Sequence, residues 1–124
     1  MKIEHIGIYA HDTKALADWY VGIVGLRIVR RLEKQGRPTI YFLAAAEGSE
    51  IEILPTEESR ADRSLNAPGL SHIGLVVEDF EATQARLREN GVRLYRVRDT
   101  SNGWRIGYFE DPEGNTLEIV HRPR

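Results

Sequence analysis

Apolar and polar residues alternate with period two in IEHIGIYAHD (residues 3–12) and again in LSHIGLVVED (residues 70–79). Side chains two apart on a strand share a face, so Ile6 and Ile8 point one way while His5 and Gly7 point the other. In the second stretch Ile73, Leu75 and Val77 oppose His72 and Gly74 in the same sense. Each stretch ends in an aspartate, Asp12 or Asp79, suited to N-cap a helix, and the spacing then becomes helical. Leu16, Trp19, Tyr20 and Ile23 form an apolar stripe in the first helix; Phe80, Thr83 and Leu87 form a weaker one in the second. Gly25 and Gly91 follow the last turns as stops. Further along, Ile51 and Ile53 oppose Glu50 and Glu52, and Leu117 and Ile119 oppose Glu118. The pattern predicts an α+β chain that reads strand, helix and three strands, twice. Each helix covers the aliphatic side of its sheet, which leaves His5, Glu52, His72 and Glu118 on helix-free faces.

The two halves are copies. His5, Gly7 and Asp12 align with His72, Gly74 and Asp79 at an offset of 67 residues. One residue then drops out: GLRIVR (25–30) answers GVRLYR (91–96), and EGSEIEIL (47–54) answers EGNTLEIV (113–120), both at an offset of 66. Such long-range self-similarity sets the architecture before any local detail. It divides the chain into module 1 (residues 1–54), a polar, proline-flanked linker (55–69, PTEESRADRSLNAPG) and module 2 (70–124). The DPEGN stretch (111–115) is a turn signal before the last strand.

A length of 124 residues is that of one ordinary domain. No apolar run approaches a membrane span, and Met1 and Lys2 lead directly into a patterned strand with no signal-peptide sequence, so the expected location is cytoplasmic. The net charge of −2 argues against nucleic acid as a partner, the arginines of RIVRR (27–31) and RLYRVR (93–98) being expected on solvated strand edges. With no cysteine, any metal must be held by nitrogen and oxygen.

Singly, a histidine or a glutamate on a wet strand face needs no explanation beyond solvation. In the two copies, however, His recurs at one position and Glu at another, whereas His11 aligns with Glu78 and His121 lies beyond the matched segments. His5, Glu52, His72 and Glu118 are therefore the candidate ligands of one divalent transition metal. Two imidazoles and two carboxylates suit Ni²⁺, Co²⁺, Zn²⁺, Fe²⁺ or Mn²⁺, with positions left for water or substrate.

The paired H-x-G openings, the DPEGN turn and the terminal LEIV resemble the vicinal oxygen chelate superfamily, which includes glyoxalase I, methylmalonyl-CoA epimerase, extradiol dioxygenases and the fosfomycin and bleomycin resistance proteins. The resemblance spans nearly the whole chain and implies two βαβββ modules whose curved mixed sheets cup a metal held by His5, Glu52, His72 and Glu118. That ligand set is the glyoxalase one; dioxygenases use two His and one Glu, and epimerases commonly have Gln where Glu52 stands. Bacterial glyoxalases carry an arginine four residues after the first histidine, used on the glutathione tail. Tyr9 stands there, and a short polar stretch with an asparagine after Glu52 is also missing, which points to a thiol other than glutathione.

The implied activity is that of a glyoxalase I-like lyase or isomerase. A metal-chelated enediolate would form, with Glu118 or Glu52 moving the proton and Glu118 favoured as the more uniformly retained ligand. The substrate would be a 2-oxoaldehyde–thiol adduct or an acyl thioester, bound by Tyr9, Tyr41, Trp104 and Arg105, the last holding an anionic tail. Tyr41 and Trp104 have the competing role of filling core or interface space. The competing functions are an epimerase, an Fe²⁺ dioxygenase and a metal-free protein that sequesters a small molecule. A homodimer is expected, because two modules leave open sheet faces and edges.

Overall fold

The computed structural model describes residues 1–62 and 64–123. The chain divides into two units, Met1–Arg60 and Ala61–Arg124. Unit 1 runs β1 (His5–Ala10), α1 (Thr13–Trp19), β2 (Arg27–Leu32), β3 (Ile40–Ala44) and β4 (Glu50–Pro55). Unit 2 repeats the plan with β5 (Ile73–Val76), α2 (Phe80–Glu89), β6 (Tyr95–Asp99), β7 (Arg105–Glu110) and β8 (Thr116–His121). The sheet orders are β1-β4-β3-β2 and β5-β8-β7-β6, so each is a four-stranded mixed sheet. The first strand of each unit pairs in parallel with the last, and the remaining pairs are antiparallel. This is the doubled βαβββ fold that the repeat predicts. Among the described residues no helix is long and apolar enough to cross a membrane.

The helices start and stop where their caps stand. Asp12 Oδ1 accepts from the Ala15 N–H at 3.0 Å, and Asp79 Oδ1 accepts from the Ala82 N–H at 2.9 Å, each satisfying a donor that the first turn leaves over. After Trp19 the first helix widens into a π-helical turn over Tyr20–Val24 that the sequence pattern does not signal. Gly25 ends it in the left-handed region at φ 87°, donating to the Tyr20 carbonyl at 3.0 Å. Leu16 and Tyr20 of the expected stripe are fully buried, as are Phe80 and Leu87 of the second. Burying each such side chain is worth about 1.5–3 kcal/mol.

Corresponding positions share out bulk differently. The first helical residue is Thr13 in unit 1 and Phe80 in unit 2, both buried; Tyr41 of β3 corresponds to Gly107 of β7. A Cβ built at Gly107 would lie 3.3 Å from Phe80 Cζ and 3.1 Å from Leu94 Cδ1, so the absent side chain is what lets the Phe80 ring reach the sheet. The register also slips in the β2–β3 pair between Ile28 and Arg30 and in the β6–β7 pair between Tyr95 and Arg98. Arg96, inside the second slip, sits at φ 52° in the left-handed region, a conformation that costs a non-glycine residue about 1 kcal/mol.

Candidate functional site

Each unit presents a histidine and a glutamate at matching places, His5 with Glu52 and His72 with Glu118, on the sheet face opposite its helix. In unit 1 the parallel register sets Gly7 beside Glu52, one place along from His5 on that face, and brings His5 Nε2 within 3.5 Å of Glu52 Oε1. In unit 2 Gly74 lies beside Glu118, and His72 Nε2 is 3.7 Å from Glu118 Oε2. The glutamate side chains are mostly buried, 17% and 13% exposed, while the histidines stay open to solvent at 43% and 32%. A carboxylate held that far from water needs a cationic or hydrogen-bonding partner.

The second ring nitrogen of each histidine is engaged by the preceding residue. His5 Nδ1 is 2.6 Å from Glu4 Oε1, and His72 Nδ1 is 2.9 Å from Ser71 Oγ. A carboxylate can only accept, so His5 Nδ1 donates to Glu4, and that contact turns Nε2 toward Glu52. The Ser71 hydroxyl can accept from His72 in the same way. Nitrogen-to-carboxylate distances of 3.5 and 3.7 Å exceed those of a good hydrogen bond and suit two ligands of a shared cation, and fixing the ring through its other nitrogen is how metal-binding histidines are oriented. Each donor pair therefore fits half of a divalent metal's nitrogen–oxygen shell. Among the described residues no three His, Cys, Asp or Glu gather as a metal-binding group. One unit alone supplies a pair.

An aromatic ring stands beside each pair. Residues directly opposite across antiparallel strands share a face, so Phe42 joins Glu52 and Tyr108 joins Glu118. The Phe42 ring meets His5 edge-on at 6.3 Å and the Tyr108 ring meets His72 edge-on at 5.3 Å. Burial first, then the neighbouring Glu118 carboxylate, holds the Tyr108 phenol above the ordinary 10.0, against an opposing pull from Arg98.

The expected substrate residues separate on the same logic. Tyr9 shares the His5 face and is 64% exposed. Tyr41 does not: it lies opposite Ile53 on the helix side, buried, with the Arg31 guanidinium 5.9 Å from its ring. Arg105 is likewise on the helix side, opposite His121, held 3.0 Å from Asp99 and 3.7 Å from Glu81 and lying over the Phe80 ring. Neither side chain shares a face with the His–Glu pair of its own unit. Trp104 is half-buried beneath the Arg122 guanidinium, 4.2 Å from the ring centre. Sequence reasoning missed Phe42, Tyr108, Glu4 and Ser71. The signal was available for the aromatics, because IYFLA (40–44) and IGYFE (106–110) align at the offset of 66 that joins Glu52 to Glu118.

The family model described as Glyoxalase/Bleomycin resistance protein/Dioxygenase superfamily matches residues 2–119. The chain is 28% identical to a lactoylglutathione lyase of Pseudomonas aeruginosa, covering 94% of this chain and 80% of that one. It is 26% identical to a probable lactoylglutathione lyase of Synechocystis, covering 97% and 95%. Among solved structures, a glyoxalase family protein from Enterococcus faecalis superposes with a TM-score of 0.80 at 28% identity, over 96% of each chain.

Proposed function

The chain belongs to the Glyoxalase/Bleomycin resistance protein/Dioxygenase superfamily, and from that membership we propose that it is a divalent-metal-dependent lyase or isomerase of the glyoxalase type. The observation that carries the proposal is the repeated pair: in both units a histidine Nε2 faces a mostly buried glutamate while its Nδ1 is engaged. His5, Glu52, His72 and Glu118 together would hold one cation, a set that needs both halves of the repeat. A cation so held supplies Lewis acidity toward two adjacent substrate oxygens.

The chain's own work is to hold and move a proton. Glu52 or Glu118 takes a proton from the carbon beside a substrate carbonyl, then returns it to the neighbouring carbon for a 1,2-shift or to the same carbon for epimerisation. General-base catalysis of this kind is worth roughly 10²–10⁴-fold in rate. Phe42 and Tyr108, edge-on to the histidines, keep that face apolar around the polar pairs. Tyr9, where bacterial glyoxalases have their glutathione-binding arginine, leaves a 2-oxoaldehyde adduct of another thiol, or an acyl thioester, as the substrate class. A homodimer completes the proposal.

The test is elemental analysis of the purified protein together with turnover of methylglyoxal plus several thiols and of methylmalonyl-CoA. The expected result is one equivalent of a transition metal per site and activity with one of these substrates, both lost in Glu52→Ala. Protein that contains no metal and takes none up would refute the proposal and favour a sequestering function.

A further inference from the structure

We infer that unit 2 carries a second binding site, for a small organic anion, in the cleft between the last turn of α2 and the segment that leads into β6. The cleft has a volume of about 590 Å³ and is lined by Gln84, Arg88, Gly91, Val92, Arg93 and Leu94. That volume is within the usual range for small-molecule pockets, about 300–1,000 Å³. The cleft is distinct from the His–Glu site of its own unit. Leu94 packs on the helix side of the sheet, 3.1 Å from a Cβ built at Gly107, whereas Glu118 alternates with Ile119, the partner of Gly107, and looks the other way.

Two cations meet in the cleft without a counter-charge. Gln84 and Arg88 are one helical turn apart and share a side of α2, and Arg93 comes from the segment after the helix. Among the described residues Arg30 and Arg105 are paired with carboxylates, and Arg88 and Arg93 are not. A basic residue at a helix end commonly bonds the free carbonyls of the last turn, but those carbonyls are already taken. That of Arg86 accepts from Asn90 Nδ2 at 2.8 Å, that of Leu87 from the Val92 N–H at 2.8 Å and that of Arg88 from the Gly91 N–H at 3.0 Å. Nor does the scaffold itself call for Arg88. In the repeat Gly91 and Arg93 answer Gly25 and Arg27, but Arg88 falls on Val21 or Gly22, according to where the one-residue gap is placed.

The lining selects the class of ligand. Guanidiniums grip a carboxylate or a phosphate through paired N–H donors, and the Gln84 carboxamide adds a further donor. Val92 and Leu94, both half-buried, supply an apolar floor. Gly91, at φ 78° and with open space where a side chain would stand, leaves the entrance clear. An oxyanion on a flat apolar body satisfies all of these groups, whereas a neutral ligand leaves two cations uncompensated.

The test is titration of isotope-labelled protein with phenyl phosphate, benzoate and neutral phenol, followed by amide chemical shifts, for wild type, Arg88→Gln, Arg93→Gln and Arg86→Gln. The expected result is saturable shifts at the Gly91, Val92 and Leu94 amides with phenyl phosphate or benzoate, the tighter of the two showing whether the site takes phosphate or carboxylate, and none with phenol. Arg88→Gln and Arg93→Gln should each weaken binding about tenfold, the loss of one charge-assisted hydrogen bond. Arg86→Gln, in the same turn but outside the cleft, should leave it unchanged. Both arginines of the cleft are exposed, so their replacement leaves the core intact. The inference is overturned if neither anion gives saturable shifts at these amides, if phenol binds as tightly as the anions, or if Arg86→Gln costs as much as the cleft variants, which would mark a diffuse positive field. Because the shifts are read at residues of the cleft, each outcome holds whether or not the metal site is present.

Discussion

Replacing Asp111 with alanine should be among the most damaging single changes outside the apolar core. Asp111 is 5% exposed and opens the turn that feeds β8. Its Oδ1 accepts from the N–H groups of Glu113 and Asn115, and its Oδ2 accepts from Asn115 Nδ2, all three at 2.9 Å. Each bond to a carboxylate contributes about 1–2 kcal/mol, reduced here because the turn borders solvent, so the three together amount to about 3 kcal/mol. The backbone bonds from Asp111 N–H to Asn115 O and from Gly114 N–H to Asp111 O remain and cap the loss. With a urea slope of about 2 kcal/mol/M, the unfolding midpoint should fall by about 1.5 M. Asp111→Asn keeps the two backbone acceptances on one oxygen but turns an amide toward the Asn115 amide, and should cost about half as much. Equilibrium urea unfolding followed by circular dichroism measures both. A shift below about 0.25 M for Asp111→Ala, equivalent to about 0.5 kcal/mol, would show that the backbone bonds hold the turn unaided and would refute the reasoning.

Gly107→Ala should destabilise unit 2 by about 1–2 kcal/mol through overpacking, since the new Cβ would lie 3.1, 3.2 and 3.3 Å from Leu94, Val97 and Phe80; an unchanged melting temperature would mean that the helix face yields at no cost. Ser71→Ala removes the partner of His72 Nδ1 and should weaken divalent-metal binding about tenfold, as measured by chelator competition. The Tyr108 phenol is held above its ordinary 10.0, so the folded chain keeps that proton more tightly than the unfolded one. Its contribution is intact below pH 10 and is lost as pH rises through the elevated folded value. Metal-free wild type should therefore lose stability relative to Tyr108→Phe across that alkaline window, and parallel pH profiles would contradict the assignment.

The sequence by itself determined the repeat, the order of elements, the capping residues and the face on which each His and Glu lies. Those properties come from periodicity within one strand or helix: Ile6 and Ile8 must oppose His5, and Asp12 must cap the helix that begins at Thr13. The partners that gather around the pairs were a matter for the tertiary structure. IYFLA and IGYFE are apolar almost throughout, so alternation cannot say whether Tyr41 or Phe42, or Tyr108 or Phe109, shares the glutamate face. Pairing decides it, because a shift of one residue moves every side chain of a strand to the other face, and this register is set by turns such as DPEGN acting between strands. Tyr41 and Arg105 went to the helix side for that reason, and Phe42 and Tyr108 to the site. The engagement of His5 by Glu4 and of His72 by Ser71 depends on side-chain rotamers, and no sequence period specifies a rotamer.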